Sequence, residues 1–508
     1  MNKKIREKTT KSKRRIIKRL KKAHRASDGQ PTLKASNIHY EISDKFRAIT
    51  CGGIGSIHKL VKEIGLVEGI DRRLRLLKFN VPYHESDHVL NITYNIMCGG
   101  KVLEDIELRR NDEVYLDALG AESIPDPTTA GDFCRRFSGA HVDILQEVIN
   151  ETRLSVWQRQ GEAFFQQTAR IDADGSLVTT TGECKEGMDI SYKGTWGYHP
   201  LVVSLANTAE PLYIINREGN RPSHEGAPEQ FDKAIQLCRK AGFKEILLRG
   251  DTDFSLTTHF DRWTDDGVRF VFGYDAKANM KQQADQMPEN EYHELVRRAE
   301  REIKTQPRLR PENVKEKIIK ERGFKNIRLN SEDLTEFSYR PIACKQDYRV
   351  VAVRKNLSVE KGHNVLFDDI RYFFYITNDF KMSAEQVVRE VGQRCDQENL
   401  IAQLQSGVRA LHAPLNTLNA NWAYMVMAAL SWSLKAWTAL LLPVFARWRA
   451  KHLAERNKLL RMEFRTFVNA FITQPCQIIK TGRRIVYRLL SWNPWQQVFF
   501  RFLDAFET

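Results

Sequence analysis

At about Ala169 the hydrophobic pattern of this chain changes period, and that change constrains the fold more than any other feature. Before it, apolar residues recur at helical spacing, as in Ile57–Ile64, Asp87–Cys98 and His141–Gln158. Thr128 or Thr129 reads as a helix N-cap after the Pro125-Asp126-Pro127 break. After Ala169, short apolar runs bounded by turn residues alternate with helical segments. Ala169–Val178, Leu201–Ala206 and Pro211–Asn216 read as strands. Helix Glu229–Ala241, strand Glu245–Asp251, helix Ser255–Asp266 and strand Val268–Tyr274 follow. A meander of three strands and then helix–strand alternation predicts an α/β core with a mixed sheet. Residues 276–330 are highly charged and helix-prone, and Glu336–Ala343 and Asp347–Lys355 read as strands. Strand Tyr372–Asn378 and a long helix from about Ser383 to Gly407 resume the core pattern.

Charge is distributed unevenly over these regions. The 508 residues carry a formal +15, of which residues 1–25 hold +12 and residues 434–508 hold +9, leaving the stretch between at −6. An acidic body with two basic ends implies a polyanionic partner held by the ends. Residues 1–30, rich in charge and nearly free of aromatics, read as a disordered basic arm with Arg14, Arg15, Lys18, Arg19, Lys21 and Lys22 as DNA-binding candidates. The aromatics near the C-terminus, Trp492, Trp495, Phe499, Phe500 and Phe502, read as one apolar helix face packed on the core or on a second subunit, the alternative being stacking on unpaired bases among Arg483, Arg484 and Arg488. Eight scattered cysteines without a Cys-x2-Cys pair exclude a zinc ribbon and a disulfide framework, and fit a reduced cytoplasmic protein. No apolar signal region follows the charged start. The most apolar run, Trp422–Leu434, is too short to span a bilayer, and Lys435 and Pro443 interrupt its extension, so a buried helix is expected there and no membrane partner.

Chemistry is expected where acids meet strand ends. Asp172 and Asp174 leave the same face of one strand, and Asp251 and Asp253 follow the buried run Ile246-Leu247-Leu248. A third acid, Glu398, stands four residues after Arg394 on a helix whose Val387, Val391 and Ile401 should dock on the sheet. The bland alternative for Arg394 and Glu398 is a surface ion pair. Three carboxylates from two strands and a helix suit two divalent ions about 3.5–4 Å apart, which together assist an in-line phosphodiester displacement. Hard oxygen ligands favour two Mg²⁺, with Mn²⁺ as a substitute.

These residues resemble the DDE transposases of bacterial insertion sequences. The resemblance rests on Ile171-Asp172-Ala173-Asp174-Gly175-Ser176, Tyr198-His199-Pro200-Leu201, Arg217-Glu218-Gly219-Asn220, Arg249-Gly250-Asp251-Thr252-Asp253-Phe254 and Arg394-x3-Glu398-Asn399. It implies an RNase H-like catalytic core with Asp174, Asp251 and Glu398 as catalytic acids and metal ligands, Asp172 and Asp253 being auxiliary candidates. It also implies an insertion domain before the third acid, here residues 276–370. The resulting layout is a basic arm (1–30), a helical DNA-binding domain (31–164), the core in two parts (165–275 and 371–440) and a basic helical C-terminal region (441–508). The implied activity is cleavage at element ends followed by transfer of the 3′-hydroxyl into target DNA, by a homodimer on double-stranded DNA in the bacterial cytoplasm. Three residues depart from the family pattern. Val391 replaces a Tyr, Gln405 a Lys, and Asp253 a Gly. Arg394, and also Arg409, could supply the phosphate contacts the first two would make. A nuclease of the same fold without strand transfer, and a non-catalytic DNA-binding protein, are the competing readings.

Overall fold

In the computed structural model, which describes residues 3–23, 35–40, 46–79, 82–295, 314–482 and 484–506, a nine-stranded mixed sheet forms the centre of the chain. Its long members are β1 (Ala169–Gly175), β2 (Leu201–Leu205), β3 (Glu210–Ile215), β4 (Ile246–Gly250), β5 (Arg269–Tyr274), β6 (Lys325–Tyr339), β7 (Tyr348–Lys361) and β8 (Asn364–Thr377). From one edge the order is β3-β2-β1-β4-β5-β8-β7-β6, with the two-residue strand His293–Glu294 at the far edge. β1, β4 and β5 run parallel, and every other pairing is antiparallel. The parallel register sets Asp172 of β1 beside Arg249 of β4, while Asp174 lies beyond the last parallel pair.

Alternation along the strands gives the sheet two buried faces. Leu247, Val271, Val351 and Val353 cluster under Val387 and Val388, whereas Leu248, Phe270, Phe272 and Ile376 join the larger core on the other face. The helices used below are α1 (Lys3–Ala23), α2 (Gly139–Gln158), α3 (Ala227–Ala241), α4 (Ala384–Gly392), α5 (Cys395–Ala402), α6 (Leu418–Leu440) and α7 (Gln496–Asp504). Burial surrounds α6, as expected for a helix apolar on all sides. Thr93 donates to Met427 O at 3.0 Å and Ser431 to Thr93 O at 3.1 Å, fixing α6 to helix Glu85–Met97. On its other side, Trp432 donates to Ala209 O at 2.6 Å beside β3. Glu210, fully buried at the start of β3, accepts from Arg153 of α2, Trp157 and Trp437 at 2.8–3.0 Å. Among the described residues, no helix is long and apolar enough to cross a membrane.

Several expectations need correction. The basic arm is helical over Lys3–Ala23, because Ile5, Thr9, Ser12 and Ile16 recur at helical spacing and form its covered side. Its Lys13 ammonium lies 6.0 Å from the Trp492 ring centroid. The C-terminal region is not wholly helical: Cys476–Thr481 and Arg484–Leu489 form a hairpin that also pairs with Ala48–Ile49. β-Branched Ile478, Ile479, Ile485 and Val486 on either side of Thr481-Gly482 favour it. The α7 face does bury Val498, Phe499 and Phe502. Asp126, not Thr128 or Thr129, is the N-cap of helix Pro127–Arg135, accepting from Thr129 N at 2.8 Å with Pro127 at the first turn. The segment Ser255–Asp266 is helical only in pieces, with the α-helical part at Phe260–Asp265. The strands between β5 and α4 are much longer than predicted and continue the core sheet without a break.

Candidate active site

The acids at the ends of β1 and β4 occupy two different environments. Asp172 is completely buried and receives both arms of Arg249, at 2.7 and 2.8 Å. Arg249 also reaches Glu390 of α4 at 3.2 Å, and Arg170 donates to both oxygens of Glu390 at 2.6 and 2.8 Å. Two arginines and two acids thus form a closed group that fastens α4 to β1 and β4. Against the cost of burial, Arg170 and Arg249 keep the Glu390 carboxyl below its ordinary range.

Two residues further along β1, Asp174 is only partly covered. Burial raises its pKa to about 6, helped by the nearby charges of Asp251 and Glu398 and opposed by Arg394. Arg394 donates to Asp174 Oδ2 at 3.2 Å. Asp251 follows directly on β4, where its Oδ1 accepts from Asp253 N at 3.0 Å and caps the turn Thr252–Phe254. Burial raises the Asp251 pKa as well, with Arg394 lowering it and Asp253 raising it.

The predicted helix Ser383–Gly407 is divided at the point where it meets these acids. α4 ends at Gly392, Gln393 and Arg394 form a tight turn, and α5 begins at Cys395. Arg394 N bonds to Val391 O and Gln397 N to Arg394 O, the three-residue spacing of an over-wound turn. Glycine in this stretch lowers the cost of leaving the helix. The turn directs Arg394 across to Asp174 instead of along the helix to Glu398, so the surface i,i+4 pair is not how Arg394 is used. Glu398 is exposed on the open side of α5. Its buried neighbour Gln397 donates to Val202 O at 3.1 Å and accepts from Ser204 Oγ, fastening α5 to β2.

Sequence reasoning passed over Arg249, Glu390 and Gln397, whose partners depend on register. It also passed over the role of His199. His199 is buried against the end of β1, and a Cβ on Gly175 would fall 2.6 Å from its Nε2, so only glycine admits this approach. Its Nδ1 donates to Arg221 O at 2.8 Å, and burial lowers its pKa against the pull of Asp253. Asp253 itself is exposed at the rim. Gln405, in a π-helical turn over Gln403–Gly407, donates to Ser176 Oγ at 2.9 Å and braces the strand end. Arg14, Arg15, Lys18, Arg19 and Lys21 are exposed on α1, while the Lys22 side chain lies outside the described residues.

Asp174, Asp251, Glu398 and Arg394 therefore gather beyond the carboxyl ends of the central strands β1 and β4, and Asp172 is separated from them by its own partners. The three carboxylates suit a hard divalent cation by chemistry, and the charge of Arg394 favours the ionised forms of both Asp174 and Asp251. Among the described residues, no three His, Cys, Asp or Glu side chains converge closely enough to enclose an ion unaided. Water and substrate oxygens would have to complete any coordination shell.

The profile of the family described as Transposase DDE domain group 1 matches residues 47–508. The chain belongs to that family. It is thus a transposase. Among solved structures, this transposase has a likeness to the cryo-EM structure of a piggyBac transposase synaptic complex with hairpin DNA. The likeness has 10% identity and a TM-score of 0.36, and covers 84% of this chain and 81% of the other. At that distance it carries no argument about the present site. No curated protein matches the transposase.

Proposed function

We propose that this transposase cleaves DNA at the ends of its own element and joins the freed 3′-hydroxyl to target DNA. Asp174, Asp251 and Glu398 are the catalytic acids and would hold two Mg²⁺, with Mn²⁺ as a substitute. The observation that carries this reading is the arrival of Asp174 and Asp251 at the carboxyl ends of adjacent parallel strands, with Glu398 close enough to raise the Asp174 pKa. Strand order β3-β2-β1-β4-β5 with a parallel β1-β4-β5 is the arrangement an RNase H-like core requires, and supports the reading further.

When bound, the two ions supply activation of the attacking oxygen and stabilisation of the leaving oxygen. The chain's own residues set the stage for this. The Arg170–Glu390–Arg249–Asp172 group holds α4 on the sheet, and Gln397 fixes α5, so Glu398 is presented from a rigid support. Arg394 offsets the mutual repulsion of Asp174 and Asp251 and would offer a charged donor to a substrate phosphate. Asp174, with a pKa of about 6, is largely ionised at neutral pH and able to act as a ligand.

The test uses full-length protein, Mg²⁺ and DNA from both flanks of its reading frame. Nicks and joined products are expected with the wild type, and Glu398→Gln should lower both at least about a hundredfold. Undiminished cleavage by that variant removes Glu398 from the site. Cleavage without joined products turns the reading into that of a nuclease of the same fold.

A further inference from the structure

A cleft of about 420 Å³ is lined by Lys101, Thr179–Thr181, Lys185, Arg409, His412 and Tyr424. None of its lining residues is a carboxylate, and three are Lys or Arg drawn from three separate stretches of chain. Arg409 has φ +52°, a left-handed backbone that costs a non-glycine residue about 1 kcal/mol or more. Its Nε is buried without a hydrogen-bond partner. A strained backbone beneath a cation with an unpaired donor marks a candidate functional position, and the field of Arg409 helps depress the His412 pKa after burial. Lys185 is partly desolvated, which pulls its ammonium down, and it donates to Ala413 O across the cleft.

The cleft is physically joined to the acids. His412 Nε2 donates to Gln405 O at 3.0 Å, and the Gln405 side chain donates to Ser176, two residues after Asp174. Gln405, which stands where the family pattern has Lys, is thereby committed to bracing β1 and carries no charge to hold a phosphate. Arg409, four residues further along the chain, keeps an Nε without a hydrogen-bond partner.

We propose that this cleft seats a backbone phosphate of the DNA strand processed at Asp174, Asp251 and Glu398, with Arg409 and Lys185 as its main contacts and the threonine hydroxyls on its flank. The proposal rests on the reading that those acids act on DNA. Arg409 and Lys185 are binding residues here, with no part in the chemical step.

The decisive variant is Arg409→Gly, since glycine adopts φ +52° freely and the protein should fold at least as well as wild type. Binding of full-length protein to a flank duplex is measured by anisotropy over a range of salt. For Arg409→Gly and Lys185→Gln, the slope of log K against log salt should become shallower by about 1 each. A single uncharged methylphosphonate linkage in the processed strand should weaken wild-type binding at one position and leave Arg409→Gly unaffected there. Wild-type slopes in both variants, with DNA cleavage by the parent protein intact, overturn the cleft and leave the active-site reading standing. Shallower slopes in a protein that never cleaves DNA, even with Mg²⁺, overturn the active-site reading and leave the phosphate seat. A wild type that binds no DNA overturns both.

Discussion

Asp172 and Asp174 point from the same face of one strand, yet one belongs to a saturated interior and the other to an open site. Asp172 faces Arg249 in register, and with Arg170 and Glu390 the charges cancel and the donors are used. Asp174 extends past the last parallel pair, so its partner comes from the turn between α4 and α5 and its remaining neighbours are acids. A shift of two residues, about 7 Å along a strand, converts a structural charge into one available to a ligand. The interior group holds the frame rigid, and the open group bears the repulsion that a cation can relieve.

The contrast can be broken most severely at its closed end. Asp172→Asn leaves Arg249 buried and short of a partner, and should cost about 3–5 kcal/mol, read as a lower denaturant midpoint at unchanged slope. A variant as stable as wild type would mean that the four-residue group is not a unit. At the open end the sign reverses. The ordinary carboxyl value is 3.8, and Asp174 in the folded protein releases its proton only near 6, so the fold weakens as pH rises across that interval. Asp174→Asn should therefore stabilise the metal-free protein by up to about 2 kcal/mol at pH 8 and by nothing at pH 4, in melts at both values. A variant less stable at pH 8 would show that the Arg394 contact outweighs the repulsion. The smallest effect belongs to Arg394→Gln, which removes the cation opposing that repulsion. It should move the midpoint of the pH dependence above 6 and weaken the fold at pH 8 by about 1 kcal/mol, with most of the loss absent when Asp174 is already Asn.

Which of these features could be seen in the sequence follows from their range. Alternation and turn residues are local, so β1 through β5 and the acids at two strand ends were legible. Arg249 with Asp172, and Gln397 with Val202 O, depend on which strands lie side by side and in what register, and one sequence does not display that. The break at Gln393 and Arg394 was hidden because the apolar spacing of Val387, Val391 and Ile401 suits one uninterrupted helix. In α1, the density of Lys and Arg obscured the spacing of Ile5, Thr9 and Ile16, whose value becomes evident only beside a surface to cover. Beyond β5, charged residues alternate on strands that are exposed in their outer halves, so hydrophobic patterning understated their length.

The position of α6 also bears on how the chain matures. Helices Glu85–Met97 and α2 and strand β3 all pack on a helix that is synthesised only at residues 418–440. A nascent chain must therefore carry their apolar sides uncovered until residues 418–440 have left the ribosome, where chaperones can reach them. A product terminated before Leu418 has no means of closing that interior. It should be removed by proteolysis or aggregate, so that the folded interior is confined to chains extended past residue 440.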